Sequence, residues 1–422
     1  MFKAYPINFI EFIGNLKADM EADIQVEDRG EPIARIEPLL VSANSRFRTQ
    51  LADLAVELTA KSTALRKSLP IGIVRALSDL VRSMNCYYSN LIEGHNTHPI
   101  DIERALNEDY SIDDPQKRDL QKEAKAHIMV QQWIDSDGLN GRATSIEGIL
   151  EIHRRFCELL PDELLWVENI DSGTRISLIP GELRRQDVIV GRHIPISPGA
   201  LPRFMERFQT AYRHLGKVDA LISAASAHHR LLWMHPFMDG NGRVARLMSY
   251  AILREVLDTG GIWSIARGLA RNEGRYKHLL AQCDLPRRND LDGRGNLSEE
   301  ALAEFAIFFL EICIDQVDFM ESLVNPQGLR DRILIWAEEE VRSGQLPPKS
   351  GVVLESVLYR GELPRGDITK LFGMSDRHAR RLTSALLERG VLAAESIRAP
   401  LRLHFPITLA TRWMPGLFPD VY

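Results

Sequence analysis

Residues 235–246 read HPFMDGNGRVAR and place one histidine, one carboxylate, two glycines around an asparagine, and two arginines in a single short stretch. A helix that begins at such a turn exposes unpaired amide N–H groups and the positive end of its dipole, which together attract an anion. Gly240 and Gly242 lack the side chains that would block backbone approach, so successive amides can surround phosphate oxygens. Asn241 can add a side-chain donor. Arg243 and Arg246 lie three apart, share a helix face, and can hold two phosphates of one polyphosphate chain. Asp239 offers a hard oxygen ligand, and one carboxylate with phosphate oxygens and waters is the usual environment of Mg²⁺. His235 is the only group in the stretch able to accept a proton near neutral pH. Each feature alone fits ordinary packing, but their convergence points to a magnesium–nucleotide site.

Two helices must hold this turn. ALISAASAHHRLLWMH runs directly into it with helical periodicity, and GRVARLMSYAILREVLD resumes the period beyond it and closes at Gly260 and Gly261. SIEGILEIHRRFCELL has the same period. So does GIVRALSDLVRSMNCYYSNLIEG, with Ile73, Leu77, Leu80, Met84, Tyr87 and Leu91 on one face and Gly94 as its stop. The stretch GELRRQDVIVGRHIPISPGALP breaks the rhythm with Val188, Ile189, Val190 and Ile194 around Gly191 and several prolines, and predicts a small β-hairpin at about 181–196. Residues 20–40 predict an extended surface arm, and residues 286–299 a polar loop before a long helix. The expected class is mainly α.

The 422 residues are 45% apolar and 26% charged with a formal net charge of −6, which excludes a globally basic nucleic-acid coat. Cys86, Cys157, Cys283 and Cys313 lie too far apart in sequence for a zinc or CxxC pattern and are expected to be reduced and buried. His153, His228 and His229 lack metal-site spacing and are expected in the core. No apolar run approaches the ~20 residues of a membrane span, and the N-terminal stretch is a poor secretory signal. The expected location is cytoplasmic, with no membrane contact.

HPFxDGNGRxxR is the signature of Fic-domain proteins, and the chain resembles that family at His235, Pro236, Phe237, Asp239, Gly240, Asn241, Gly242, Arg243 and Arg246. The resemblance runs roughly from Ser89 to Val324 and implies a Fic-type helical bundle with a hairpin flap. It further implies transfer of AMP from ATP to a hydroxyl of a target protein. His235 would deprotonate an acceptor Ser, Thr or Tyr, Mg²⁺ on Asp239 would hold the α- and β-phosphates, and Tyr276 would lie near the adenine. In the family a flap with a Gly-x-x-Arg start pairs with the target's extended segment. GELR at 181–184 resembles that start, with Arg184 and Arg185 both eligible for its arginine.

SNLIEG at 89–94 is similar to the family's S-x-x-x-E-G inhibitory motif, with Ser89, Glu93 and Gly94 at its specified positions. The resemblance implies that Glu93 pairs with Arg246 where the ATP γ-phosphate would sit. It places the chain in the class with an N-terminal inhibitory helix. In some relatives the same glutamate supports the reverse reaction, removal of AMP from a modified target.

GDITKLFGMSDRHARRLTSALLERGVL reads as helix, turn at Gly373, Ser375 as N-cap, and a second helix with Leu382, Leu386 and Leu387 inward; VLAAES and PLRLHF would be wing strands. This resembles a winged helix-turn-helix. Between Arg360 and Arg402 it carries nine basic against five acidic residues, so DNA is a candidate partner through Arg377, Arg380 and Arg381, with protein docking as the alternative. The expected organisation is an N-terminal arm and helices at 1–88, a Fic core at 89–324, a linker helix at 325–349 and a winged-helix domain at 350–422. Partners would be a target protein, the chain itself as substrate or homodimer, and DNA. A nucleotide-binding transcriptional regulator is the competing function, and the presence of His235 and Asp239 speaks against it.

Overall fold

The computed structural model describes residues 10–11, 26–168, 173 and 175–419. Helices dominate, and the strands of the described residues form three short antiparallel pairs. The chain divides into two compact units, one of Met1–Ala60, Asn85–Asp258 and Ile265–Ile314, the other of Lys61–Met84, Thr259–Ser264 and Asp315–Tyr422. Sequence reading places boundaries at loops and joints, whereas here the 84/85 and 314/315 divisions fall inside the unbroken helices Ile71–Ile92 and Glu299–Val324.

In the first unit the helix Lys217–Met234 packs along the helix Asn241–Leu257. Ala224, Ala225, Ser226 and Ala227 on the former and Ala245 and Ser249 on the latter are fully buried, and such small side chains permit close approach. His228 Nδ1 and Ser249 Oγ join the pair at 2.9 Å. The first helix stops because His235 adopts the left-handed conformation (φ 48°, ψ 63°) and Pro236 has no N–H to continue it. The second starts after Gly240, also left-handed at φ 81°, where a side chain would be strained. The turn between two helix ends, expected from the motif, is thus set by one unusual histidine and one necessary glycine.

The helix Ile71–Ile92 ends at Gly94 (φ 83°), as its sequence predicts. The arm over residues 27–39 is extended apart from the 3-10 turn Ile33–Ile36, and it is firmly tied down. Glu31 accepts hydrogen bonds from Ser197 N (2.8 Å) and Oγ (2.6 Å), Pro38 O accepts from Arg230 (2.9 Å), and Glu37 O accepts from Leu297 N (2.8 Å). The flap is shorter than the hairpin expected at 181–196. Its strand is Ile189–Val190, closed by a Val190–His193 bridge around Gly191 and Arg192. Its free edge pairs with Ile10–Glu11, Ile10 opposite Val190. A second hairpin, Trp166–Glu168 with Arg175–Ser177, has no counterpart in the sequence reading.

In the second unit the helices Pro326–Arg342, Ser350–Arg360, Asp367–Phe372 and Asp376–Glu388 precede a strand pair, Leu392–Ala393 with Arg402–Leu403. Gly373 is left-handed, and Ser375 Oγ accepts from His378 N at 3.3 Å, as the helix–turn–helix reading requires. Leu382 and Leu386 are fully buried, while Leu387 is half-buried. All four cysteines are buried and free. Among the described residues no helix is long and apolar enough to cross a membrane.

Candidate functional site

A cavity of about 1090 Å³ in the first unit opens onto the turn. His235, Asp239, Asn241 and Gly242 line it, with Glu93 beside them and the flap segment Val190–Ile194 on one wall. The rest of the lining comes from the helix Glu273–Cys283, the loop around Pro286 and Leu297, and Arg35 of the arm.

His235 is only 9% exposed, and burial, aided by the nearby Arg184 cation, depresses its pKa to about 3. The imidazole is therefore neutral at physiological pH. Its Nδ1 lies 3.4 Å from the Leu232 carbonyl, which can only accept, so that contact places the proton on Nδ1 and leaves the Nε2 lone pair available. The backbone of His235 is also held. Its carbonyl accepts from Arg184 Nε at 2.7 Å, while Arg184 N donates to Pro236 O at 2.8 Å. Further bonds run from the Arg184 guanidinium to the carbonyls of Gln186 and Ile196. Of the two candidate arginines, Arg184 is thus buried against the motif's backbone, whereas Arg185 is exposed and paired with Glu182. We expect Arg184→Gln to destabilise the fold by ~2–4 kcal/mol in denaturant unfolding, and Arg185→Gln by less than ~0.5 kcal/mol.

His153 supports the turn from beneath. Its ring stacks on Phe237 at 3.8 Å, its Nδ1 accepts from Gly181 N at 2.9 Å, and burial lowers its pKa to about 4. A core histidine was expected there, and it joins the flap's first residue to the motif. Asn241 has a different part from the phosphate donor expected of it. Its Oδ1 accepts from Phe237 N (3.0 Å) and its Nδ2 donates to Phe237 O (2.9 Å), so the carboxamide braces the turn.

Arg246 and Glu93 form an ion pair, and Arg246 also donates to Ser89 Oγ (2.8 Å) and Ser89 O (3.2 Å). Burial alone would raise the Glu93 pKa, but Arg246 and Arg243 outweigh it and hold the carboxylate at about 2. A Cβ at Gly242 would collide with Glu93 Oε1, so this glycine leaves room for a carboxylate at the start of the helix. Glu93 thus lies against Gly242 in the first turn of this helix while paired with Arg246.

Arg243, expected beside Arg246 on the phosphates, turns elsewhere. It pairs with buried Glu123 at 2.6 Å, lies over the Phe156 ring, and does not line the cavity. Glu123 also meets His95 at 3.0 Å. Sequence reasoning missed Glu123 because a glutamate within QKEAKAH on a helix has no local mark of burial. Tyr276, expected near an adenine, is 2% exposed with its hydroxyl 2.7 Å from His228 Nε2, and it too is absent from the lining.

The donor set admits Mg²⁺ only in company. Among the described residues no group of three His, Cys, Asp or Glu side chains could hold a metal alone, whereas Asp239 lines the cavity next to the glycine turn. That chemistry fits a cation carried in by phosphates, with Asp239 as its protein oxygen.

Residues 143–253 match the Fic/DOC family model. The chain is 32% identical over 169 residues to the "Protein adenylyltransferase Fic" of Drosophila erecta, covering 40% of this chain and 31% of that protein. To the Drosophila melanogaster protein of the same name it is 32% identical over 184 residues, covering 43% and 34%. The matches thus span about a third of the length of these curated relatives. A Fic family protein from Desulfovibrio desulfuricans G20 shares the fold with a TM-score of 0.50 at 17% identity, over 86% of this chain and 98% of that one. The turn, the helix before it, most of the helix after it and the stacked His153 lie within the matched residues, so it is over this stretch that the chain is similar to the Fic/DOC family.

Proposed function

We propose that the chain transfers AMP from ATP to a hydroxyl of a target protein, or of itself, and that Glu93 holds this activity in check. The observation that carries the reading is a neutral histidine with a free Nε2 sharing one cavity with Asp239 and a glycine-lined helix start. The helix-start amides and Arg246 bind and orient the phosphates, which is most of what phosphoryl-group transfer asks of a protein. His235 Nε2 takes the proton of the acceptor hydroxyl as its oxygen attacks the α-phosphorus, and pyrophosphate leaves. Mg²⁺, when bound at Asp239, neutralises phosphate charge. The flap edge at Ile189–Val190 aligns the acceptor segment through backbone pairing. The buried free thiols are in keeping with a reducing, cytoplasmic setting. Incubation with Mg²⁺ and ATP labelled on the α-phosphate tests the reading by the appearance of labelled protein.

The pKa values fix a pH dependence. Glu93, held at about 2 against an ordinary 4.5, contributes folding stability above pH 4.5 that is lost only as pH falls toward 2. Its neighbour Arg243 is held on the charged side by Glu123 despite its burial, and His95, whose pKa Glu123 raises against the effect of burial, can only add positive charge on acidification. The Glu93–Arg246 contact should therefore persist, and the ratio of Glu93→Gly to parental transfer rates should stay flat from about pH 8 to about pH 5. A steep fall of that ratio on acidification would show that protonation opens the contact.

We also propose that the tail is a winged helix that contacts DNA. Arg377, Arg380 and Arg381 are exposed, lie three and four apart on the helix Asp376–Glu388, and make no ion pair or hydrogen bond with any described side chain. Replacing each by Ala should weaken duplex binding and lower the slope of log affinity against log salt by about one. Affinity insensitive to salt would argue for a protein partner instead.

A further inference from the structure

The cavity mouth carries two cations that the transfer chemistry does not use. Arg35 and Arg192 both line the cavity and both are exposed. Neither guanidinium makes a hydrogen bond or ion pair with any described residue. The lining's other lysine or arginine, Lys277, is engaged with Glu273 at 2.6 Å, and of its carboxylates Asp284 meets His229 at 3.0 Å and Glu93 meets Arg246, while Asp239 lies at the turn. Arg192 sits in the tight turn closed by the Val190–His193 bridge, directly beyond the flap strand. Arg35 belongs to the Ile33–Ile36 turn, held in place by fully buried Ile36 and by the bond from Leu297 N to Glu37 O. Two held backbones thus place two guanidinium groups, unpaired among the described residues, in the lining of one cavity.

An anion can reach that opening from two directions. The phosphates of ATP belong to the helix start, where Gly240, Gly242 and Arg246 stand. The acceptor segment belongs to the flap edge, and Arg192 follows that edge in sequence by two residues. The same edge already takes up an extended strand of this chain, Ile10–Glu11, in antiparallel register. We infer that Arg35 and Arg192 form a subsite for an acidic side chain of the acceptor segment, so that the enzyme selects hydroxyls with Asp or Glu close by in sequence. Backbone pairing at the flap is indifferent to side chains, whereas a guanidinium pair forms charge-assisted hydrogen bonds with a carboxylate and supplies the missing discrimination.

This inference rests on the transfer reading, and the test keeps the two apart. Glu93→Gly protein would be incubated with Mg²⁺, labelled ATP and three synthetic peptides that share a central Thr, flanked by Glu, by Gln or by Lys. The acidic peptide should show a kcat/KM about tenfold higher, chiefly through KM, and added salt should narrow the gap. The Arg35→Glu/Arg192→Glu double variant should invert the preference toward a Lys-flanked peptide while its KM for ATP stays unchanged. An unaltered peptide preference in the double variant overturns the inference. A raised KM for ATP with that preference intact would assign the two arginines to the nucleotide and equally overturn it. If Glu93→Gly protein labels neither itself nor any peptide, the transfer reading fails first.

Discussion

Glu93→Gly is expected to raise incorporation of α-phosphate label by about 50-fold over the parent chain at saturating ATP and Mg²⁺. The magnitude follows from the contact removed, because a charge-assisted pair in a buried setting is worth ~2–3 kcal/mol of competition against an incoming phosphate. Glu93 meets Arg246 and stands against Gly242 in the first turn of the helix. Truncation vacates the anion place while leaving its cation aimed, since Ser89 still accepts from Arg246 at 2.8 and 3.2 Å. Glu93→Gln keeps the volume but not the charge, and should release transfer only in part. The substitution leaves Arg246 with less compensation, so a drop in melting temperature is expected alongside the gain in rate. Equal rates in Glu93→Gly and parent would remove the inhibitory role.

His235→Ala in the Glu93→Gly background should lower transfer by about 10³-fold, the scale of a positioned general base, with ATP affinity within about twofold of its parent. Affinity is preserved because the phosphate contacts lie after residue 239. His235 occupies φ 48°, where Ala is strained by ~1–3 kcal/mol, so His235→Asn is the cleaner variant. Asparagine tolerates the left-handed region and cannot act as a base. With the imidazole pKa near 3, the rate should show no acid limb near 6.5, the ordinary value for histidine. Such a limb would mean that substrate binding rehydrates the ring or that another histidine supplies the base.

The motif was legible because its residues are chemical rather than structural. A glycine needed at φ 81°, a carboxylate at the cavity and an imidazole before a proline are each fixed by local requirements, and they stay together in the fold. The partner of Arg246 was legible through the resemblance of SNLIEG. The partner of Arg243 was not: Glu123 lies 120 residues earlier in chain order, on a helix whose charged residues read as solvated. Periodicity shows which face of a helix is apolar but not which buried polar groups will meet, so the bonds of Asn241 with Phe237 and of Tyr276 with His228 are not readable from it. Trp166–Ser177 was missed for another reason. Three-residue strands are too short for alternation to stand out, even with Asp171, Ser172 and Gly173 between them.

The helical class followed from the repeated three-to-four spacing, and the division into units did not. Compact units are defined by packing across the chain, and two of their boundaries fall inside helices where composition does not change. The sequence predicts an extended arm over residues 20–40, of which 20–25 lie outside the described residues, but it does not show what the arm is used for. Glu31, a charged residue in an acidic stretch, is buried against Ser197 and so ties the arm to the segment after the flap. With buried Ile36 and the bond from Leu297 N to Glu37 O, that anchoring fixes the turn that carries Arg35.

The central claim is that a nucleotide's phosphates bind at the helix start beyond Asp239 and that the α-phosphorus leaves with an acceptor oxygen. Glu93→Gly protein given Mg²⁺ and ATP labelled separately at the α- and γ-positions tests it most directly. The account predicts α-label fixed covalently to protein, γ-label released as pyrophosphate, and neither event when His235 is also replaced by Asn. Protein that retains the γ-label, or that retains α-label equally without His235, would contradict it.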